Sequence, residues 1–233
     1  MVHVPFYDRR QAGQALAESL QEYAFRSDVV VLGLPRGGVP VAYEIAQALR
    51  TPLGILLVRK LGVPGHEELA MGAVATGNAR VLNQQVIEHL GIDQSTIEQV
   101  TEREQQELKR REALYRGDRP PPTLNERCVI LVDDGVATGA TMSVAIQALR
   151  QHQPSEVVVA VPVAPPDTAA RLAKEADHAV ILAQPESFGG VGQWYEDFTP
   201  TSDDEVRDLL ARSAPNLAHL TREPRPHPEG PAT

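Results

Sequence analysis

The stretch Val129-Ile-Leu-Val-Asp133-Asp134-Gly135-Val-Ala-Thr138-Gly139-Ala-Thr141 decides the fold that this sequence predicts. Its first four residues are apolar and mostly β-branched, which indicates a strand buried on both faces, as in a parallel sheet. Two acidic residues and a loop of small residues follow, and the pattern over Met142 to Arg150 is helical. A buried strand, a glycine-containing turn and a helix in this order predict an α/β fold.

The loop after this strand has the chemistry of a phosphate site. The N–H groups at the start of a helix carry partial positive charge, and glycine lets the backbone approach an anion closely. Thr138 and Thr141 can add hydroxyl donors. Asp133 and Asp134 would repel a phosphate, but their carboxylates suit the hydroxyl groups of an adjoining ribose and a nearby Mg2+ ion. The acid pair and the loop together predict a site for a phosphorylated sugar.

Composition excludes several other classes of protein. The chain has 233 residues, a net charge of -9 and a single cysteine, Cys128, so it forms no intrachain disulfide. Binding to a nucleic-acid backbone needs clustered Lys and Arg, so we expect no nucleic-acid partner. The N-terminus lacks the pattern of a secretory signal, and no stretch approaches the roughly 20 apolar residues of a membrane span. These features predict a cytoplasmic protein with no membrane partner.

Apolar runs alternate with helical patterns on both sides of the opening stretch. This order predicts βαβ units and therefore a central, mostly parallel sheet flanked by helices. The further predicted strands are Val29 to Leu32, Leu53 to Val58, Val157 to Val161 and Ala179 to Leu182. The further predicted helices are Gln11 to Phe25, Val39 to Leu49, Asp167 to Ala176 and Asp203 to Ser213.

Residues 84–118 interrupt this alternation with many charged and few apolar residues. Their pattern predicts a mostly helical insertion. Because the positive and negative charges of this insertion nearly balance, a solvated helix face is favoured over a binding site for a partner. We expect residues 1–220 to form one domain that contains this insertion. The Pro-rich residues 221–233 predict a disordered tail.

The acid pair followed by Gly-x-x-Thr-Gly-x-Thr resembles the 5-phosphoribosyl-1-pyrophosphate (PRPP) signature of the type I phosphoribosyltransferases. The resemblance covers roughly Val4 to Leu210, and the layout is similar to a bacterial group of predicted phosphoribosyltransferases without an assigned base. It implies the type I phosphoribosyltransferase fold with a C-terminal hood segment over the base site. It also implies that Asp133 and Asp134 hold the ribose hydroxyls and Mg2+. The residues that wrap the 5-phosphate are then Ala137, Thr138, Gly139, Ala140 and Thr141.

Two further segments resemble the pyrophosphate-binding parts of this family. In Gly33-Leu-Pro35-Arg36-Gly37-Gly38, backbone amides and Arg36 would meet the leaving group, whose negative charges need donors and Mg2+ in the transition state. Further along, Arg59 and Lys60 precede a Gly-Pro-Gly pattern. The resemblance implies a pyrophosphate contact, with Lys60 as a mobile ammonium beside a flexible lid. The alternative is that Arg59 and Lys60 only end a strand, and His66 nearby is interpreted as solvated.

The acceptor is the least determined part of the substrate set. Trp194 and Tyr195 lie in an aromatic segment that could stack on a nucleobase or could simply pack the C-terminal segment onto the core, and the sequence does not separate these two roles. In hypoxanthine-guanine enzymes an Asp that acts on the purine occupies the position of Ala137. The small side chain here disfavours a 6-oxopurine.

The resulting hypothesis is a Mg2+-dependent phosphoribosyltransferase, a pentosyl glycosyltransferase of nucleotide salvage. A nitrogenous acceptor, with a nucleobase as the leading candidate, would displace pyrophosphate from PRPP, and Asp133, Asp134 and Lys60 are the predicted catalytic residues. The alternative is a non-catalytic regulatory protein that senses PRPP or a nucleotide, and a weaker one is a hydrolase or phosphatase on the same scaffold. The oligomeric state stays open, a homodimer being one possibility.

Overall fold

A computed structural model describes residues 4–117, 119 and 121–213 of the chain. The predicted tail over residues 221–233 lies outside this part. The strands are β1 Val29–Gly33, β2 Leu53–Ile55, β3 Val58–Val63, β4 His66–Ala75, β5 Ala79–Leu82, β6 Cys128–Val132, β7 Glu156–Val163 and β8 His178–Ala183. The helices are α1 Arg9–Ser19, α2 Gly38–Leu49, α3 Gln84–Leu90, α4 Gln94–Arg116, α5 Ala140–Arg150, α6 Pro166–Glu175 and α7 Asp203–Ser213.

Five parallel strands form the central sheet, in the order β2-β1-β6-β7-β8. Alternate residues of β6 enter two different apolar clusters: Ile130 joins the cluster that includes α1 and α2, and Leu131 joins the one that includes α5 and α6. Both faces of the sheet are therefore covered by helices, which explains why β1 and β6 are continuous apolar runs. The predicted mostly parallel sheet is confirmed.

A second sheet of three antiparallel strands, β3-β4-β5, was not predicted. The predicted strand from Leu53 to Val58 divides here: β2 ends at Ile55, and Val58 begins β3 of the second sheet. The Gly-Pro-Gly pattern, expected to be a flexible lid, forms the end of the β3–β4 hairpin, where Gly65 turns the chain with a φ of 80°. Strand β4 escaped prediction because it begins with exposed charged residues and continues with Ala and Gly, which have low strand propensity.

Residues 84–116 form two helices, α3 and α4, as the pattern indicated. Helix α4 is not solvated on all sides. It packs on β3, β4 and α7, and its inward side buries Ile97, Val100, Leu108 and Tyr115. The insertion thus lies against the segment that carries Arg59 and Lys60. None of the helices in the described part of the chain has the length and apolar character that a bilayer crossing requires.

Candidate functional site

The acid pair lies where strand β6 ends, at the carboxyl edge of the central sheet. Asp133 and Asp134 follow Val132 directly, and the backbone N–H of Asp134 donates to Oδ1 of Asp133 at 2.9 Å. In open α/β sheets this edge is where ligands bind. The strand therefore presents both carboxylates where a substrate could reach them.

Burial controls the protonation of this pair. It raises the pKa of Asp133 well above the ordinary value for aspartate, and the adjacent Asp134 carboxylate raises it further. Burial also raises the pKa of Asp134, whereas its hydrogen bond from Arg9 works in the opposite direction. Burial thus disfavours the ionised form of the pair, and a cation bound beside the two carboxylates would favour it. Such a site is suited to a cation or to hydroxyl donors.

Arg9 provides that cation, and the sequence interpretation gave it no role. Its Nε donates to Oδ2 of Asp134 at 2.7 Å, and the two side chains are only 11% and 13% exposed. The same guanidinium donates to the carbonyl oxygen of Thr199 at 2.8 Å and lies 3.9 Å from the centre of the Phe198 ring. Arg9 thus ties helix α1 to one of the acids and to the C-terminal segment. Its only sequence signal is its place next to Asp8, the N-cap of α1.

The predicted phosphate loop, residues 135–141, is held in place by side chains of helix α6. The Thr168 hydroxyl donates to the carbonyl oxygen of Ala137 at 2.8 Å, and the Arg171 guanidinium donates to the carbonyl oxygen of Thr138. Gly139, with a φ of 71°, turns the chain into α5 and has no side-chain cap. The N–H groups of the first turn of α5 have no partner within the helix, so they are available to an anion. Ala137, Thr138, Ala140 and Thr141 are all exposed there.

The loop that contains Gly37 and Gly38 packs directly against the acid pair. The N–H of Leu34 donates to the carbonyl oxygen of Val132 at 2.9 Å, which fixes the loop beside the end of β6. A Cβ atom on Gly38 would lie 2.6 Å from that same carbonyl oxygen and 2.8 Å from Cα of Asp133. A Cβ on Gly37 would collide with the Asp134 carboxylate. Only glycine allows the two loops to approach this closely.

Replacing Gly38 with alanine should therefore separate the two loops. We expect the free energy of unfolding to fall by about 1–3 kcal/mol, because the added methyl group meets backbone atoms that cannot move aside freely. The matched control is Gly190→Ala, where the backbone is extended and no atom lies within 4 Å of the added Cβ. Thermal unfolding of both variants tests this prediction, and equal melting temperatures would contradict it.

Arg36, Arg59 and Thr141 line one cavity of about 330 Å³. Lys60 does not line this cavity. It follows Arg59 along strand β3 and is exposed, and successive side chains of a strand point to opposite faces. The structure thus brings Arg59, rather than Lys60, to the predicted pyrophosphate loop. The pyrophosphate contact and the catalytic role of Lys60 stay predictions.

The C-terminal aromatic segment covers the carboxyl edge of the sheet. Tyr195 is buried between Phe6 and Phe198, with ring centres 5.8 and 5.0 Å away, and its hydroxyl donates to the carbonyl oxygen of Asp134 at 2.5 Å. Only 6% of Tyr195 is exposed, which favours the packing alternative for this residue, and its contact with a base stays a prediction. Trp194 is partly buried and stacks on Phe188 at 6.3 Å, and its contact with a base stays a prediction.

The acid pair fits a Mg2+ ion only in combination with a substrate. Within the ranges that the structure describes, no group of three or more His, Cys, Asp or Glu side chains is arranged to hold a metal ion. Magnesium is commonly bound through one or two carboxylates together with substrate phosphates and water. Asp133 and Asp134 fit this pattern, because their carboxylates supply hard oxygen ligands, and a bound cation would favour the ionised form that burial disfavours.

A parallel sheet covered on both faces, with an acid pair and a glycine-rich loop meeting at its carboxyl edge, defines the type I phosphoribosyltransferase fold. Residues 7–193 match the family model described as a phosphoribosyl transferase domain. The chain belongs to this family.

Two Mycobacterium tuberculosis proteins, each named "Putative phosphoribosyl transferase", are 47% identical to the chain over 213 residues. The match covers 91% of the chain and 48% of each relative, so the chain spans about half the length of these relatives. The protein TT1426 from Thermus thermophilus, known from a crystal structure, is 44% identical to the chain with a TM-score of 0.79, and the match covers 89% of this chain and 98% of that one.

Proposed function

We propose that this chain transfers the 5-phosphoribosyl group of PRPP to a nitrogenous acceptor and releases pyrophosphate. The observation that carries the proposal is the meeting of three parts at one edge of the sheet: the acids Asp133 and Asp134, the loop that begins α5, and the loop around Arg36. Each part matches one portion of PRPP in its chemistry. Carboxylates accept from ribose hydroxyls, helix N–H groups donate to the 5-phosphate, and Arg36 offers charge to pyrophosphate.

In this proposal the protein contributes positioning and charge rather than a nucleophile. The α5 loop and the acid pair hold the two ends of the ribose, so that C1 faces the acceptor while the bond to pyrophosphate breaks. Mg2+, when bound, would neutralise part of the charge that develops on the pyrophosphate. The Tyr195 hydroxyl and the Arg9 guanidinium hold Asp134 from two sides, which limits its movement during the reaction.

The acceptor is proposed to be a nucleobase other than a 6-oxopurine, as in salvage of free bases in the cytoplasm. Ala137 supports the exclusion, since it offers no carboxylate to a purine ring. Trp194, stacked on Phe188 beside the acid-bearing edge, is the aromatic side chain proposed to face the base.

The direct test is a radiolabelled-PRPP assay with Mg2+ over the common nucleobases. We expect one or more bases other than hypoxanthine and guanine to give a nucleotide together with an equal amount of pyrophosphate. Binding of PRPP without nucleotide or pyrophosphate from any base would contradict the transferase proposal and favour a PRPP sensor. Release of pyrophosphate that does not depend on a base would instead indicate a hydrolase.

A further inference from the structure

The cavity shared by Arg36, Arg59 and Thr141 has a wall that comes from helix α4, the insertion. It is about 330 Å³ in volume and lies between the glycine-rich loop, the β2–β3 connection, α4 and the start of α7. The polar and charged residues that line it are Arg36, Arg59, Arg110, Arg111, Tyr115, Thr141 and Asp203. Four of these side chains are guanidinium groups and one is a carboxylate, so the lining is strongly cationic although the whole chain is acidic.

The two arginines of α4 share a single counter-charge. Glu107 accepts from Arg110 at 2.7 and 2.9 Å and from Arg111 at 2.9 Å. These bonds lower the pKa of Glu107 to about 2, so the group stays ionised at physiological pH and neutralises only one of its two partners. The side chains of Arg110 and Arg111 are 65% and 47% exposed. Donors that Glu107 does not use are therefore open to an anion in the cavity.

The other two arginines are tethered to carboxylates from outside the central sheet. Arg59 pairs with Glu104 of α4, with its Nε 2.7 Å from the carboxylate oxygen. Arg36 lies 3.8 Å from Asp203 at the start of α7, and Asp203 also accepts from the Tyr115 hydroxyl at 2.6 Å. These carboxylates already pair with two of the cations that an anion in the cavity would contact. A multiply charged ligand would have to compete with them, and a singly charged one would gain less from doing so.

We propose that helix α4 forms the outer wall of the pyrophosphate subsite, and that Arg110 and Arg111 bind the terminal phosphate of PRPP and the released pyrophosphate. The inference rests on the proposed function, which supplies the polyphosphate ligand. Its independent support is the cavity itself, which Thr141 and Arg36 line together with Arg110 and Arg111 of α4. The insertion thus adds two cations to those that Arg36 and Arg59 of β3 already bring to the cavity.

The test is calorimetric titration of the full chain with pyrophosphate plus Mg2+ and, separately, with ribose 5-phosphate, which lacks the pyrophosphate group. The variant Arg110→Ala/Arg111→Ala should weaken pyrophosphate binding by about tenfold or more and change ribose 5-phosphate binding by less than about twofold. The variant Arg110→Lys/Arg111→Lys keeps the charge and should recover part of the loss. Both residues are exposed, so circular dichroism is expected to show an unchanged fold.

Lys109→Ala is the matched control, because it removes one positive charge from the same helix but lines a separate depression with Glu112 and Arg116. It should leave both titrations unchanged. Equal pyrophosphate affinity in wild type and Arg110→Ala/Arg111→Ala, or an equal loss in Lys109→Ala, would overturn the assignment. Nucleotide formation is measured independently. If no base accepts the phosphoribosyl group while the titrations follow the expected pattern, the transferase proposal fails, and the assignment of Arg110 and Arg111 to pyrophosphate binding is retained.

Discussion

Replacing Asp133 with asparagine is expected to reduce nucleotide formation at least about a hundredfold and to raise the melting temperature of the ligand-free protein at about pH 8. The first effect follows because the amide offers a weaker acceptor to the ribose and a poorer ligand to Mg2+. The second follows because burial beside Asp134 disfavours the ionised form of Asp133. Each kcal/mol gained should raise the melting temperature by about 2–4 °C in a chain of this size.

The raised pKa of Asp133 determines how the stability of the wild type changes with pH. Because the pKa of Asp133 is higher in the folded protein than in the unfolded chain, the folded state binds more protons. The stability that this provides is complete below the unfolded pKa of about 4, and it is lost as the pH rises through the raised folded pKa. Melting temperatures of the wild type should therefore fall more steeply above about pH 4 than those of Asp133→Asn.

Asp167→Asn serves as the control for this comparison, since Asp167 is exposed in the first turn of α6. It should match the wild type both in nucleotide formation and in the pH slope of the melting temperature. An Asp133→Asn protein that is less stable than the wild type at about pH 8 would contradict the assignment of Asp133 as a buried, electrostatically unfavourable group.

Replacing Arg9 with methionine is expected to lower the free energy of unfolding by about 3–5 kcal/mol. The variant leaves the Asp134 carboxylate buried without its partner, and it also removes the contacts of Arg9 with Thr199 and Phe198. Adding Asp134→Asn to this variant should restore part of the stability, because the uncompensated charge is then absent. Urea unfolding of the wild type, both single variants and the double variant gives the coupling energy between the two side chains.

Arg10→Met is the matched control for Arg9→Met. Arg10 is the next residue along α1, and its side chain is 72% exposed and pairs with Glu44 at 3.3 Å. An exposed pair of this kind contributes about 0–1 kcal/mol, so the expected loss is small. If the two methionine variants lost the same stability, burial would not distinguish the two ion pairs and the role given to Arg9 would be wrong.

The central sheet and its helices were predictable because each depends on a local pattern. Strands β1 and β6 are apolar runs that continue into loops of fixed chemistry, and α7 was predicted with its observed limits, Asp203–Ser213. The acid pair and the phosphate loop belong to one stretch of sequence and the glycine-rich loop to another. Their meeting follows from one rule: parallel strands end at the same edge of a sheet.

The remaining features depend on contacts between residues far apart in the chain. Arg9 and Asp134 are separated by 125 positions, and no pattern around Arg9 indicates a buried partner. The assignment of Arg59 rather than Lys60 to the cavity depends on which face of β3 is turned inward, and the strand itself was not predicted in full. Similarly, the balanced charges of α4 indicated a solvated face, because sequence alone does not show that Arg110 and Arg111 face a cavity next to Arg36.

A crystal structure of the chain with PRPP and Mg2+ tests the central claim most directly. We expect the 5-phosphate at the amides of residues 137–141, the ribose hydroxyls at Asp133 and Asp134, and the pyrophosphate at the loop around Arg36. Density for PRPP at any other place, or a ribose whose hydroxyls do not reach the two acids, would contradict this claim.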